Sequence, residues 1–591
     1  MGRVHGLLTG SHWTGHPVKQ NPLEEPVRLP KIPLPLDGGG QGWGCPLPFI
    51  PSRQGRGDEL SDILRRVLAA RKSFHMTDTP EQERWIKSIS VSVTPPSLKD
   101  NTGDVDRLLK GIEKVLGSGE VKIDLPLSKR IPSLLREHHY DVEAILYQGL
   151  SSWHLLDLVP PGQTGSVYGL AVDLGTSMIA VRLLDLVTGD LKEEISFLNP
   201  QIQVGPDILT RIHYAGQEGG LQSLQLSLIE RLNQEIHSLA ERWGISNKNI
   251  MGAAVAGNTT MTHFFLGLDP YWICREPYIP VLNRPGLIRA SELGLAIHQQ
   301  GAVFVFPNAG SYFGGDLMAG ILASGMNQQE EVSILVDVGT NAEVVLGNRD
   351  WLVACAGAAG PALEGGVATM GMMAGPGVID KVVIDSATGE FQVRTIDRLP
   401  PVGICGSGMI DLVAQLYLAG MIDIRGKYVS EKCGERIQTI DEVQHLTVVF
   451  SKESGTGEDL TLSQAEIDAV MRSKAAMHTI LTTMTRMIHL DWKDFWRFYV
   501  AGTFGSYINP RSAIVLGMLP DLPLDVYEAL ENTSLAGATR ALLSLRKRKE
   551  ADEIRNRVTY VEMNVNQEFM NQFSAAKFIP HTDRSLFPTV P

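Results

Sequence analysis

Two stretches of this chain are built alike. Residues 168–190 read YGLAVDLGTSMIAVRLLDLVTGD, and residues 333–354 read SILVDVGTNAEVVLGNRDWLVA. Each is an apolar run, an Asp-x-Gly-Thr turn and a second β-rich run, which predicts two hairpins on buried strands. A single Asp-Gly turn is ordinary hairpin chemistry. Two copies, each on an apolar strand, predict a duplicated fold with one loop from each half. Such a turn aims backbone N–H groups outward as an anion-binding concavity, and its Asp can hold Mg²⁺, usually through water. The candidates are Asp173, Gly175, Thr176 and Ser177 in the first copy. In the second they are Asp337, Gly339, Thr340 and Asn341. Asp173 and Asp337 are the expected metal-holding acids.

The remaining pattern is α/β. Apolar β-runs alternate with helices and Gly-rich turns from residue 167 onward, which predicts sheets covered by helices. A chain of 591 residues is too long for one core, so several domains are expected. Residues 1–75 are expected to form an arm with a short helix at 57–74, since residues 1–57 hold nine prolines and eleven glycines. A small α/β domain is expected over 76–165. Within it a strand falls near 85–96, a helix opens in 97–117, and 131–149 supplies another helix and strand. The two halves of the duplicated domain follow at 166–332 and 333–591.

Formal net charge is −13, against the clustered Lys/Arg that nucleic acid or a membrane surface needs. The one basic cluster, SLRKRKEADEIR at 544–555, is cut by acids and is expected to be a solvated helix face. No apolar run approaches the ~18 residues of a membrane span, and no secretory leader is recognised. The five cysteines include no CxxC pair, which argues against a disulfide framework. A cytoplasmic protein is expected.

A third element, FYVAGTFGSYINP at 498–510, is a strand running into a loop with Gly502, Thr503 and Gly505. Glycines there let backbone approach a flat ligand such as adenine. With the two hairpins, this resembles the superfamily of sugar kinases, heat-shock 70 chaperones and actin, which hold ATP between two related halves. There is no GxxxxGK[ST], so a P-loop is excluded.

Longer stretches narrow the resemblance. They include NPQIQVGPDILTRIHYA at 199–215, AVAGNTTMTHFFLGLDP at 254–270, ACAGAAGPALEGGVATMGMMAGPGVIDKV at 354–382, GICGSGMIDL at 403–412 and LSQAEIDAVMRSKAAMHTIL at 462–481. These are similar to the ATP-dependent reductive activators of corrinoid proteins, over about 85–590. The resemblance implies reduction of a Co(II) corrinoid to Co(I), coupled to ATP and Mg²⁺, in support of methyl transfer. It also implies a corrinoid protein as partner and a homodimer. Gly406, Ser407 and Gly408 are expected at the nucleotide, Glu364 is a catalytic candidate, and Asp316 is either a site acid or a helix N-cap. Lys474, on a helix over 462–488 with one apolar face, either faces solvent or reaches the adenosine.

Two departures stand out. Typical members of the family carry an N-terminal iron–sulfur domain and others a C-terminal ferredoxin-like one, whereas Cys45 is the only cysteine in the N-terminal region here and one thiolate cannot hold a cluster that needs four. No iron–sulfur cluster is therefore expected, and a separate ferredoxin would deliver the electron. In GMMAG at 371–375, Met372 or Met373 stands where an Arg is expected. Cys355 and Cys405 are expected to be core residues, not ligands of a bridging cluster. The alternative functions are an ATP-binding regulatory protein of the same fold and a small-molecule kinase.

Overall fold

The computed structural model describes residues 83–117, 119–162, 167–311, 313–338, 341–358, 368–502, 508–561 and 572–591. All of them lie in the unit His75–Pro591. The expected arm and its helix at 57–74 fall outside the described residues.

Strand β1 (Ile86–Ser92) joins β2 (Val121–Lys122), β3 (Asp141–Gln148) and β4 (Trp153–Val159) in a four-stranded sheet ordered β1-β3-β4-β2. Helices α1 (Asp104–Leu116) and α2 (Ile131–Glu137) cover it, burying Leu108, Ile112, Ile131 and Leu135. Helix α1 starts later than residue 97 because Ser97 and Asp100 first close a turn on each other. It ends at Gly117, whose φ of 75° suits glycine.

The duplication shows in the two large sheets. Strands β5 (Tyr168–Leu174), β6 (Met178–Asp185) and β7 (Leu191–Leu198) form an antiparallel meander. Beside β5 lies β8 (Ile250–Gly257), parallel to it. An antiparallel edge strand, β9 (Gly286–Arg289), completes the sheet beside β10 (Ala302–Val305), in the order β7-β6-β5-β8-β10-β9. The second half begins with the same meander, β11 (Ser333–Val338), β12 (Asn341–Gly347) and β13 (Leu352–Ala358). The chain then makes two three-stranded sheets. One holds β14 (Val378–Ile384), β15 (Phe391–Thr395) and β16 (Gly403–Ile404), the other β17 (Ile437–Ile440), β18 (Val443–Val449) and β19 (Leu460–Ser463). It returns to the large sheet with β20 (Arg497–Ala501), parallel to β11, then β21 (Tyr527–Ala529) and β22 (Val558–Tyr560). The order β13-β12-β11-β20-β21 repeats β7-β6-β5-β8-β10. Strand β8 is buried along its whole length, as a central parallel strand covered on both faces must be.

Helices α3 (Ile208–Ala215), α4 (Gly220–Arg242) and α5 (Thr259–Leu266) belong to the first half, and α6 (Gly315–Ser324) closes it. The second half adds α7 (Gly406–Leu418), α8 (Gln464–Met487), α9 (Thr533–Leu543) and α10 (Leu545–Arg557). Helices α6 and α9 cross closely, because a Cβ on Gly537 would stand 2.1 Å from the Ala319 carbonyl oxygen.

Two expectations are corrected here. The basic helix α10 is not simply a solvated face: Arg548 and Glu550 are 5% and 6% exposed. Arg548 covers the Trp85 ring and donates to the Gln148 carbonyl at 2.9 Å, and Glu550 accepts from Asn327, Gln328 and Lys547. Helix α8 is buried nearly all round, so it has no solvated face to carry Lys474. Lys474 is 1% exposed, and its Nζ donates to the Phe578 and Pro580 carbonyls at 2.6 and 2.7 Å. Burial holds its pKa well below the ordinary lysine range.

Candidate functional site

Each hairpin ends a buried strand in an acid. In the first, Gly175 is required, since a Cβ there would meet the Met178 carbonyl oxygen at 2.2 Å. Asp173 is clasped by the other half: Asn532 Nδ2 donates to Oδ2 and Ser534 Oγ to Oδ1, each at 2.7 Å. Asn532 is the N-cap of α9, so the positive end of that helix also faces the carboxylate. Burial raises the pKa of Asp173, and these two bonds oppose the rise.

Three further acids join it. Asp337 lies on β11, and Glu343 is its cross-strand partner on β12, which puts both side chains on one face. Asp316 stands in the first turn of α6; the N-cap is Gly314, so the N-cap expectation for Asp316 is corrected. Burial, with the charge of Asp173 added, pushes Asp316 and Asp337 up to about 7. Burial and the charges of Asp316 and Asp337 raise Glu343 well above the carboxylate range. Two acids of each half therefore meet at the seam, where together they cost energy unless protons or a cation neutralise them. The donors are hard oxygens suited to Mg²⁺. Among the described residues no three His, Cys, Asp or Glu side chains converge as a metal site.

The first loop is braced from behind. Asn199 Nδ2 donates to the Gly175 carbonyl at 2.9 Å, and Arg211 Nη2 donates to the Thr176 carbonyl at 2.8 Å. Asn258, the N-cap of α5, donates to Thr176 Oγ1 at 3.1 Å.

The remaining sequence candidates scatter. Gly339, Thr340, Glu364, Thr503 and Gly505 lie outside the described residues, as does the side chain of Asn341. Gly502 follows β20 with a φ of 87°. Gly406, Ser407 and Gly408 form the first turn of α7, and Gly408 is held to glycine by the Ile379 carbonyl, 2.4 Å from where a Cβ would be. Ser407 is buried against Cys405 Sγ at 3.1 Å. Cys355 is fully buried, with its thiol raised far above the ordinary range by burial. Met372 and Met373 put no charge where an Arg is expected; Met373 is exposed, and the Met372 side chain packs on Gly403. A cavity of about 960 Å³ lined by Glu83, Asn327, Arg546 and Glu550 lies apart from all of these candidates.

Sequence reasoning missed Glu343, which counting across the hairpin from Asp337 would have found. It also missed Asn532 and Ser534, whose local sequence carries no signal for a partner so far along the chain.

A duplicated α/β fold with one acidic hairpin per half defines an ASKHA-type protein. Residues 331–591 match the C-terminal ASKHA domain of RACo, 168–329 the RACo middle region and 83–165 the RACo linker region. A solved structure of a reductive activator for corrinoid, iron–sulfur protein superposes with a TM-score of 0.81 at 37% identity, covering 86% of this chain and 81% of that one. The chain belongs to the RACo family. It is 28% identical to the corrinoid activation enzyme RamQ of Eubacterium limosum over 471 residues, 76% of this chain and 78% of that protein. It is 24% identical over 439 residues to a Co(II) methylated amine-specific corrinoid protein reductase of Methanosarcina barkeri, over 68% of this chain and 76% of that protein.

Proposed function

We propose that the protein is an ATP-dependent reductive activator of a corrinoid protein, taking Co(II) to Co(I) with one electron from a donor supplied in trans. The observation that carries the ATP half is the acidic site at the seam, built by the two repeated hairpins in a chain of this family. Family membership over most of the chain supports the corrinoid half. The reading takes the small sheet domain as 76–165 and the ATPase halves as 166–332 and 333–591.

In this reading the loops at 173–177 and 337–341 hold the phosphates of ATP. Asp173 and Asp337 would hold Mg²⁺, which when bound neutralises phosphate charge. Gly502 and the segment after it approach the adenine, with the turn at 406–408 beside the nucleotide and Glu364 as a further catalytic acid. Because the acids come from both halves, a nucleotide bound between them favours one relative position of the halves. A surface that changes with that position binds one redox state of the corrinoid partner better, and differential affinity is what can shift an unfavourable equilibrium. A separate ferredoxin is the donor we assign. We place the protein in the cytoplasm as a homodimer.

The test is optical. The full chain is mixed with a Co(II) corrinoid protein, Mg·ATP and a strong chemical reductant, and the Co(I) absorption band is followed. The band is expected only with ATP, and Asp337→Ala should lower ATP turnover by at least about 100-fold while keeping the fold. A band that forms equally without ATP, or never forms although nucleotide binds, rejects the activator role. Undiminished turnover in Asp337→Ala rejects the site.

A further inference from the structure

The stretch 199–215 builds the back wall of the first loop. Asn199 and Pro200 open a short helical turn, Asp207 caps α3 by accepting from Thr210, and α3 delivers Arg211. Asn199, Gln201 and Arg211 are 1%, 0% and 0% exposed. Three successive carbonyls of the loop point into this wall. Gly175 O accepts from Asn199 Nδ2 at 2.9 Å, Thr176 O from Arg211 Nη2 at 2.8 Å, and Ser177 O from the Asn199 backbone N–H at 2.9 Å.

In a trans peptide the N–H points opposite to the carbonyl before it. Tying the Gly175 and Thr176 carbonyls to the wall therefore turns the Thr176 and Ser177 N–H groups away from it. Among the described residues neither N–H donates to another group. The Thr176 hydroxyl oxygen accepts from Asn258, which leaves its proton free to point the same way.

Arg211 is unusual in its own right. A buried guanidinium is costly without a close counter-charge; among the described residues no carboxylate lies within ion-pair distance of it, and Asp207 acts on it only from further off, opposing the effect of burial. The other contacts of Arg211 are the Gly205 carbonyl at 2.8 Å, Gln201 Oε1 at 3.4 Å and Met261 Sδ at 3.6 Å. Burial lowers its pKa to about 10, so it stays charged at neutral pH. Meanwhile the front of the site presents four acids, and neither hairpin turn carries Lys or Arg. A polyanion approaching these acids needs positive charge from elsewhere.

We infer that Arg211, with Asn199, is a positioning residue that makes the 175–177 loop an anion receptor for the terminal phosphates of a nucleoside triphosphate, with the bound phosphate adding to the distant charge of Asp207 as counter-charge of Arg211. The inference rests on the nucleotide reading above. It gives Arg211 a role through the loop it braces, without direct contact with the ligand.

The test compares ligands of different charge on the full chain by calorimetry: Mg with a non-hydrolysable ATP analogue, Mg·ADP and adenosine. Arg211→Gln, which can still donate a hydrogen bond but lacks charge, should weaken the triphosphate about tenfold or more, weaken ADP less, and leave adenosine unchanged. Arg211→Lys should bind the triphosphate within about threefold of wild type. Asn199→Ala should lose triphosphate affinity selectively with Arg211 intact. Equal losses for triphosphate and adenosine make Arg211 merely structural and overturn the inference, as does a Gln variant indistinguishable from wild type. If the Gln variant does not fold, the Lys and Asn199 variants decide; a Lys variant as weak as Asn199→Ala overturns it. A wild-type protein that binds no nucleotide at all overturns the nucleotide reading and this inference together.

Discussion

Carboxylates that share a half-buried site hold their protons longer than free ones, and stability then depends on pH. Asp316 titrates near 7 in the folded chain and near its ordinary value of about 3.9 when unfolded. Between those values the native state binds more protons than the unfolded state, so stability falls as pH rises from about 4 to 7 and stays low above. Asp316→Asn should therefore stabilise the Mg²⁺-free protein at pH 8 by on the order of 1–2 kcal/mol, discounted for partial exposure, and hardly at pH 4. Thermal melts at the two pH values check this, and Mg²⁺ should shrink the gain. An equal gain at both values would remove the charge explanation. At this scale the sequence showed the acids that begin each turn, because Asp-x-Gly-Thr is a local signal. It did not show Lys474 as buried. An isolated Lys in a helical pattern looks solvated, and only the carbonyls of Phe578 and Pro580 give it a reason to be inside.

Elements carry the contact between halves. Helix α9 touches β5 through the bonds from Asn532 and Ser534 to Asp173, and crosses α6 where Gly537 meets the Ala319 backbone. Backbone has no flexible end to yield, so Gly537→Ala should cost about 2 kcal/mol in urea denaturation. Gly216→Ala is the control: its φ is −75°, and a Cβ would meet nothing closer than 3.4 Å, so it should be near neutral. The strands and the repeat were legible because apolar runs and a duplicated turn are visible in order. The helix crossing was not, since small residues such as Gly537 have no side-chain pattern that names a partner.

At the level of the whole molecule, the four-stranded sheet is fastened by long-range contacts. Trp85 Nε1 donates to the Ala541 carbonyl at 2.9 Å, and Arg548 lies over the Trp85 ring while bonding the end of β3. Arg548→Ala leaves the strand-end carbonyls unpaired and should cost about 2–3 kcal/mol. Faster limited proteolysis within 83–165, with nucleotide affinity unchanged, is the expected readout. Composition suggested a solvated basic helix here because charge content says nothing of which stems are covered.

The clasp on Asp173 also bears on biosynthesis. Its partners Asn532 and Ser534 come 359 and 361 residues later. A ribosome will have released the first hairpin and most of the second half before α9 can reach back to it. Until then the polypeptide carries the acid of its first hairpin unclasped. A nascent chain stalled before residue 532 should accordingly lack the finished site, however well its first sheet has formed. Completion of the clasp is thus deferred to the closing stage of translation.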